Sequence, residues 1–105
     1  MRIYIAGPLN ADAVGYLQNV HRMTQASVML RQMGHAPYNP CLDLLDGIMA
    51  GDFGYEDYFY TSQEWLKVAD AMFFLGSSPG ADKERALAES LGLPIYEGLN
   101  EVPNA

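Results

Sequence analysis

The chain has 105 residues, half of them hydrophobic, and a formal net charge of −7 at pH 7. A chain of that length supports one hydrophobic core, so we expect a single domain over residues 1–105. The acidic balance disfavours a nucleic acid polymer or an anionic membrane surface as partner, because either would require a basic face on the protein. A small anionic ligand is still compatible, since backbone N–H groups bind phosphate without a basic protein.

Cysteine usage and hydropathy bear on the compartment. Cys41 is the one cysteine, so no internal disulfide can form, and no second Cys or His stands at metal-ligand spacing. No segment approaches the roughly 20 apolar residues of a membrane span. The N-terminus has too few apolar residues for a signal peptide. We therefore predict a cytoplasmic protein with no metal and no cofactor.

A strand–helix–strand unit opens the chain. Its predicted elements are a strand over 2–6, a helix over 14–33 and a short strand over 35–38. Asp12 is a suitable N-cap for the helix, and Gly34 ends it. The dipeptide Gly7-Pro8 stops the first strand.

The middle of the chain has a less regular pattern. Residues 41–54 mix apolar side chains with aspartates and glycines, which predicts mostly a long loop over one end of the sheet, with at most a short helical turn. The sequence pattern over residues 55–68 predicts a helix in which Tyr58, Trp65 and Leu66 face the core. Its aromatic density fits core packing, an aromatic wall over a ligand, or a dimer interface.

A second unit follows, with a buried strand over 71–75, a glycine-rich turn and a helix that ends at Gly92 and Pro94. Ser77 or Ser78 caps this helix, and Pro79 suits its first turn. Two such units in succession predict an α/β protein with a mainly parallel sheet.

Glu84 is the candidate catalytic residue. It shares a helix face with three apolar positions, namely Ala81, Ala88 and Leu91. Helical side chains tilt toward the N-terminus, so the carboxylate leans toward the loop over 76–80, where open α/β sheets bind ligands. N–H groups of the first helical turn favour anions at the same place. The alternative is that Glu84 is a half-solvated edge residue.

Four segments together resemble the nucleoside 2-deoxyribosyltransferase superfamily, which includes the deoxynucleoside 5′-monophosphate N-glycosidases. They are Ile3-Tyr-Ile-Ala-Gly-Pro8, Tyr38-Asn-Pro40, Glu64-Trp-Leu-Lys-Val-Ala-Asp70 and Ser78-Pro-Gly-Ala-Asp-Lys-Glu-Arg-Ala-Leu-Ala88. The resemblance is closest to short members from phages and bacteria. It implies a small Rossmann-like (flavodoxin-like) three-layer fold with a four- or five-stranded, mainly parallel sheet.

The resemblance also implies a chemistry, cleavage of an N-glycosidic bond in a nucleoside or nucleoside 5′-monophosphate. Glu84 matches the family's nucleophile, which attacks the anomeric carbon and forms a covalent glycosyl-enzyme that water or a second base resolves. The positions matching Tyr4, Gly7 and Pro8 line that pocket. Those matching Ser77, Ser78 and Gly80 hold a 5′-phosphate or the sugar hydroxyls.

The resemblance further implies a homodimer or larger homo-oligomer in which a neighbouring chain completes the pocket. The aromatic helix segment 55–60 is the predicted interface. Nucleosides or nucleotides are the predicted small-molecule partners.

One position departs from the family pattern. Active members carry an Asp where this chain has Ser62, and a serine cannot donate a proton efficiently near neutral pH. Another acid, Asp57, Asp43 or Asp46, could take over that role. Otherwise the chain is a catalytically silent module that binds a nucleotide in order to sense or sequester it. A structural protein with an aromatic interaction surface is the third alternative.

Overall fold

The computed structural model describes residues 1–9, 11–51 and 54–105, and its centre is a parallel sheet. The four strands are β1 (Arg2–Ala6), β2 (Ala36–Tyr38), β3 (Ala71–Phe74) and β4 (Ile95–Tyr96). Their order across the sheet is β2-β1-β3-β4, and every neighbouring pair is parallel. The predicted flavodoxin-like α/β fold is therefore confirmed, with four strands.

Helices cover both faces of the sheet. They are α1 (Ala13–Gln32), α2 (Asp43–Ala50), α3 (Tyr55–Leu66) and α4 (Pro79–Ser90). Side chains of a strand alternate between its faces, so Ile3 and Ile5 pack with Leu30 of α1 on one side. Tyr4 packs with Leu66 of α3 and Ala88 of α4 on the other side. This arrangement gives the three layers that the resemblance implies.

The ends of α1 follow the local sequence signals. The Asp12 carboxylate accepts a hydrogen bond of 2.7 Å from the Gly15 N–H, as an N-cap should. Gly34 follows the helix with φ +93°, a conformation that side chains rarely adopt, and a Cβ there would lie 2.8 Å from the Ala105 Cβ. Glycine is therefore required at this turn.

The prediction of a long loop in the middle of the chain was wrong for most of its length. Residues Pro40–Leu42 form a 3₁₀ turn, and Asp43–Ala50 form α2. Two carboxylates in the first turn of α2 interact favourably with the helix dipole, which favours a helix despite the glycines of this segment. Positions 52 and 53 of the predicted loop lie outside the described residues.

Two side chains expected in the core are partly exposed. Leu91 is 42% exposed because α4 has already ended at Ser90, so it does not continue the buried stripe. Trp65 is 49% exposed and stacks against Tyr38 of β2, with 5.2 Å between ring centroids. In the described part of the chain, no helix has both the length and the apolar character needed to cross a membrane.

The strand order creates a switch point between β1 and β3. The chain crosses from β1 to β2 over one face and then reaches β3 on the opposite side of β1. Loops from the carboxyl ends of these two central strands diverge there and leave a crevice, which is the usual ligand site of open α/β sheets.

Candidate active site

A cavity of about 1040 Å³ opens at the carboxyl ends of the strands. Loops and helices following β1, β2 and β3 all contribute to it. The acidic, hydroxyl-bearing and aromatic positions in its wall are Tyr16 of α1, Asp43 of α2, Tyr58, Phe59 and Ser62 of α3, Ser78 before α4, and Glu84 of α4. The volume is at the upper end of the roughly 300–1,000 Å³ of ordinary ligand pockets.

Glu84, Tyr4 and Ser62 form a hydrogen-bonded cluster in the floor of the cavity. The Tyr4 hydroxyl donates a hydrogen bond to Glu84 Oε2, and its oxygen also lies 2.7 Å from Ser62 Oγ. A phenol has one proton, so when Tyr4 donates to Glu84 the serine hydroxyl is the donor in its contact with Tyr4. Three elements that are distant in sequence thus hold one carboxylate in place.

Burial dominates the electrostatics of this cluster. It raises the pKa of Glu84 above the usual value for a carboxyl, although the hydroxyl groups of Tyr4 and Ser62 lower it in part, and Asp43 adds a further increase. Burial, then the charge of Glu84, raise the pKa of the Tyr4 hydroxyl far above its ordinary value. Tyr4 is therefore a neutral hydrogen-bond donor throughout the physiological range.

Asp43 is the second carboxylate in the cavity wall. It begins α2 and is half-buried, and burial, followed by the charge of Asp46, raises its pKa. The other two aspartates considered as alternative acids are placed differently. Asp46 is exposed and absent from the cavity wall, and the Asp57 carboxylate accepts from the Gly54 N–H at 3.2 Å at the start of α3.

The α4 N-terminus borders the same cavity. Ser78 is its N-cap, and its hydroxyl accepts from the Ala81 N–H at 3.1 Å. Ser78 and Gly80 line the cavity. Ser77 does not, and its hydroxyl instead donates to the Asp82 carboxylate at 2.8 to 2.9 Å.

The turn after β1 closes the remaining side. Gly7 lines the cavity, and a Cβ on it would lie 3.0 Å from the Leu75 Cβ, so the turns after β1 and β3 pack too closely for a side chain at this position. Pro8 packs beside Gly76 and is absent from the cavity wall. Gly7, Ser62, Ser78, Gly80 and Glu84 thus line one cavity. Tyr4 is buried beneath the wall and contacts Glu84, while Pro8 and Ser77 are absent from the wall.

Several wall residues were not identified from the sequence. Tyr16 and Met23 reach the cavity from α1, and Cys41 reaches it from the turn after β2. Their positions depend on helix packing, which no local pattern reveals. Burial raises the pKa of the Cys41 thiol to about 11, which makes it a poor nucleophile at neutral pH.

The aromatic side chains of α3 divide between two environments. Tyr58 and Phe59 line the cavity, which favours the aromatic wall among the alternatives for this helix. Tyr60 is 63% exposed on the outer surface. Below the cavity the Tyr4 ring stacks on Tyr38, with 5.6 Å between centroids, and Tyr38 stacks on Trp65.

The arrangement suits attack by a carboxylate on a carbon that develops positive charge. A half-buried carboxylate held by two hydroxyl groups is a fixed, weakly solvated nucleophile, and it stabilises an oxocarbenium-like centre. Over the described ranges, no group of three His, Cys, Asp or Glu side chains could hold a metal ion.

Comparison with known proteins gives two matches. Residues 1–97 match the model of a family described as a domain of unknown function, DUF4406. Among solved structures, the 2-deoxyribosyltransferase of the psychrotolerant bacterium Bacillus psychrosaccharolyticus is similar, with a TM-score of 0.71 and 25% identity over 90% of this chain and 69% of that one. That enzyme is described as a biocatalyst for the synthesis of antiviral and antitumoral nucleosides. No curated protein matches in sequence. The structural match confirms the resemblance to the deoxyribosyltransferase superfamily.

Proposed function

The chain belongs to the DUF4406 family, and we propose that it cleaves the N-glycosidic bond of a nucleoside or nucleoside 5′-monophosphate, or transfers the deoxyribosyl group to a second base. The observation that carries this proposal is the Glu84 carboxylate in the cavity wall, which accepts a hydrogen bond from Tyr4, while the Tyr4 oxygen contacts Ser62. The similarity to a 2-deoxyribosyltransferase supports the same class of reaction.

The reaction proceeds in two displacements at the anomeric carbon. A Glu84 carboxylate oxygen bonds to that carbon while its bond to the base nitrogen breaks, and the electron pair leaves with the base. Water then attacks the same carbon, the bond to Glu84 breaks, and the free sugar and the carboxylate are released. If a second base takes the place of water, the product is a new nucleoside.

The remaining wall groups bind and orient the substrate. The Tyr4 hydroxyl fixes the attacking carboxylate, and Ser62 fixes Tyr4. Ser78 and Gly80 border the sugar, with Gly7 opposite, while Tyr58 and Phe59 stack against the base. Pro8 and Ser77 support the two turns from behind.

The leaving base needs a proton, which Ser62 cannot supply efficiently. Asp43 is the described carboxyl that shares the cavity wall with Glu84, and its raised pKa keeps a protonated fraction at higher pH than an ordinary aspartate would. Asp43 is therefore the proton donor in this proposal. After the first displacement it is a carboxylate and can take a proton from the attacking water.

Release of free base tests the proposal. Purified protein is incubated with 2′-deoxynucleosides and their 5′-monophosphates, and free base is assayed by chromatography, with and without a second base as acceptor. Glu84→Gln should lower base release at least about a thousandfold. Glu89→Gln is the matched control, because Glu89 is an exposed residue of the same helix. Equal rates in wild type and Glu84→Gln would refute the mechanism.

A catalytically silent binding module is the second candidate. The observation that favours it is Ser62, a buried serine where active members of the superfamily carry an aspartate. Saturable binding of a nucleoside or nucleotide without base release from any substrate would select it. A homo-oligomer in which a second copy borders the cavity is part of either candidate.

A further inference from the structure

We infer that the cavity takes an uncharged nucleoside and disfavours the corresponding 5′-monophosphate. This inference rests on the proposed function, and it selects between the two substrate classes left open above. It depends on the distribution of charge around the cavity and on how many backbone N–H groups at the α4 N-terminus already have hydrogen-bond acceptors.

The cavity wall carries negative charge and no positive side chain among the described residues. Asp43 and Glu84 are its two ionisable carboxyls, and the other wall positions are hydroxyl, aromatic, aliphatic or glycine residues, with one cysteine. A phosphate with about two negative charges would be repelled by both carboxylates in a site where water screens poorly. A sugar hydroxyl meets no such repulsion and can donate a hydrogen bond to either one.

The α4 N-terminus is poorly equipped to bind a phosphate. Pro79 has no N–H, and Ser78 already accepts from the N–H groups of Ala81, through its hydroxyl, and of Asp82, through its carbonyl at 2.8 Å. Gly80 is the remaining residue of this turn that could offer a backbone donor. A phosphate cradle normally presents several such donors together.

Asp82 adds a negative charge beside this turn. Its carboxylate accepts from the Ser77 hydroxyl, which removes a donor that a phosphate would need. Asp82 is exposed and follows Ala81, which is a residue of the cavity wall. An acid in the first turn uses the same favourable helix dipole that would otherwise attract an anionic ligand.

The six cationic side chains of the chain are engaged elsewhere or lie outside the wall. Arg2 pairs with Asp70, Lys67 with Glu64, and Arg85 with Glu89 and Glu97, while Arg31 lies in the last turn of α1. The Lys83 ammonium lies 5.9 Å from the ring centroid of Phe59, a residue of the cavity wall. Arg22 donates to the Leu75 carbonyl at 3.1 Å, just after β3. Lys83 and Arg22 are therefore the cations to test as phosphate ligands, and the experiment must include both.

The decisive measurement compares a 2′-deoxynucleoside with its 5′-monophosphate in two ways. Initial rates give kcat/KM for each on the wild type, and isothermal titration gives the Kd of each on Glu84→Gln, where base release is blocked. We expect kcat/KM to favour the nucleoside by at least about tenfold at low salt. The Kd should also favour the nucleoside, but by a smaller factor, because Glu84→Gln keeps only the Asp43 carboxylate in the described wall. Added salt should reduce both preferences.

Variants locate the origin of the preference. Asp82→Asn should improve kcat/KM for the monophosphate several-fold and leave the nucleoside within about twofold. Glu89→Gln removes an equal charge from an exposed position of the same helix, α4, and should change kcat/KM for neither substrate. Arg22→Gln and Lys83→Gln should also leave the preference unchanged. A specific loss of monophosphate binding in either variant would show an anion site on that cation and overturn the inference.

The outcomes distinguish this inference from the function on which it rests. Equal or tighter binding of the monophosphate overturns the inference, while base release would still support the glycosidase. No base release from either substrate overturns the enzyme, and a Kd that favours the nucleoside would still support the inference. Failure of both ligands to bind would refute both.

Discussion

The Tyr4 hydroxyl donates a hydrogen bond to the Glu84 carboxylate across the boundary between the sheet and α4. Tyr4 lies on a buried strand and is almost completely inaccessible, so its ring has no alternative position. Burial of the carboxyl and donation from the phenol act in opposite directions on the pKa of Glu84. The balance between them sets the pH at which this nucleophile becomes ionised.

Tyr4→Phe should shift the pH range in which the protein is active to higher pH. The substitution removes a donor that stabilises the carboxylate, so the pKa of Glu84 rises further and a larger fraction is protonated at any given pH. We expect the acidic limb of kcat/KM to move to higher pH, with the largest loss of activity below that limb and recovery above it. Tyr96→Phe is the control, and an unmoved limb would contradict the role of Tyr4.

Glu84→Gln should stabilise the protein above neutral pH. The folded-state pKa of Glu84 is raised above its unfolded value, so the native state binds the proton more tightly and stability falls as pH rises through that interval. A neutral amide avoids this loss. Thermal unfolding should show a Tm higher by roughly 4 °C at pH 8 and little difference at pH 4. A lower Tm at pH 8 would mean that the carboxylate stabilises the fold.

Ser62→Ala should weaken catalysis through Tyr4. Ser62 is buried, and its hydroxyl lies 2.7 Å from the Tyr4 oxygen, so its removal leaves Tyr4 less well oriented and raises the pKa of Glu84. We expect kcat to fall by about tenfold with KM nearly unchanged. Thr61→Ala is the matched control, because the neighbouring hydroxyl bonds only to the Asp57 carbonyl in the same helix. Equal effects of the two variants would indicate a general helix defect.

Much of the site could be predicted from sequence because its signals are local. Glu84 stands on the same helix face as Ala81 and Ala88, both of which are buried, and helical periodicity is sufficient to see that. Ser78 as N-cap of α4 is likewise a local preference. The parallel sheet followed from the repeated strand–helix–strand order.

The remainder depends on contacts between distant residues. Asp43 lies in the cavity wall because α2 forms in a segment whose glycines predicted a loop. The local residue pattern therefore could not predict the position of Asp43. The sequence predicted that the Ser77 hydroxyl binds a ligand, but in the structure this hydroxyl donates a hydrogen bond to the Asp82 carboxylate. The sequence predicted that Trp65 faces the core, but in the structure its ring is half exposed and stacks on the ring of Tyr38.

A second copy of the chain should cover the outer faces of α2 and α3. Met49 is 84% exposed and Tyr60 63% exposed, and large apolar side chains in such positions mark interaction sites when they cluster. We expect sedimentation velocity to show a dimer or larger species for the wild type. Tyr60→Glu should dissociate it and raise KM, whereas Val14→Glu, on α1, should do neither. A monomeric wild type at micromolar concentration would contradict the proposed oligomer.

Asp43→Asn should separate attack on the sugar from protonation of the base. If Asp43 donates the proton, its loss matters most for bases that leave poorly as anions, and little for an activated base that needs no proton. We expect kcat/KM to fall by about a hundredfold for an ordinary deoxynucleoside and by less than about threefold for an activated one. Asp46→Asn is the matched control, since Asp46 is exposed in the first turn of the same helix. A uniform loss on both substrates would mean that Asp43 positions the substrate and does not transfer a proton.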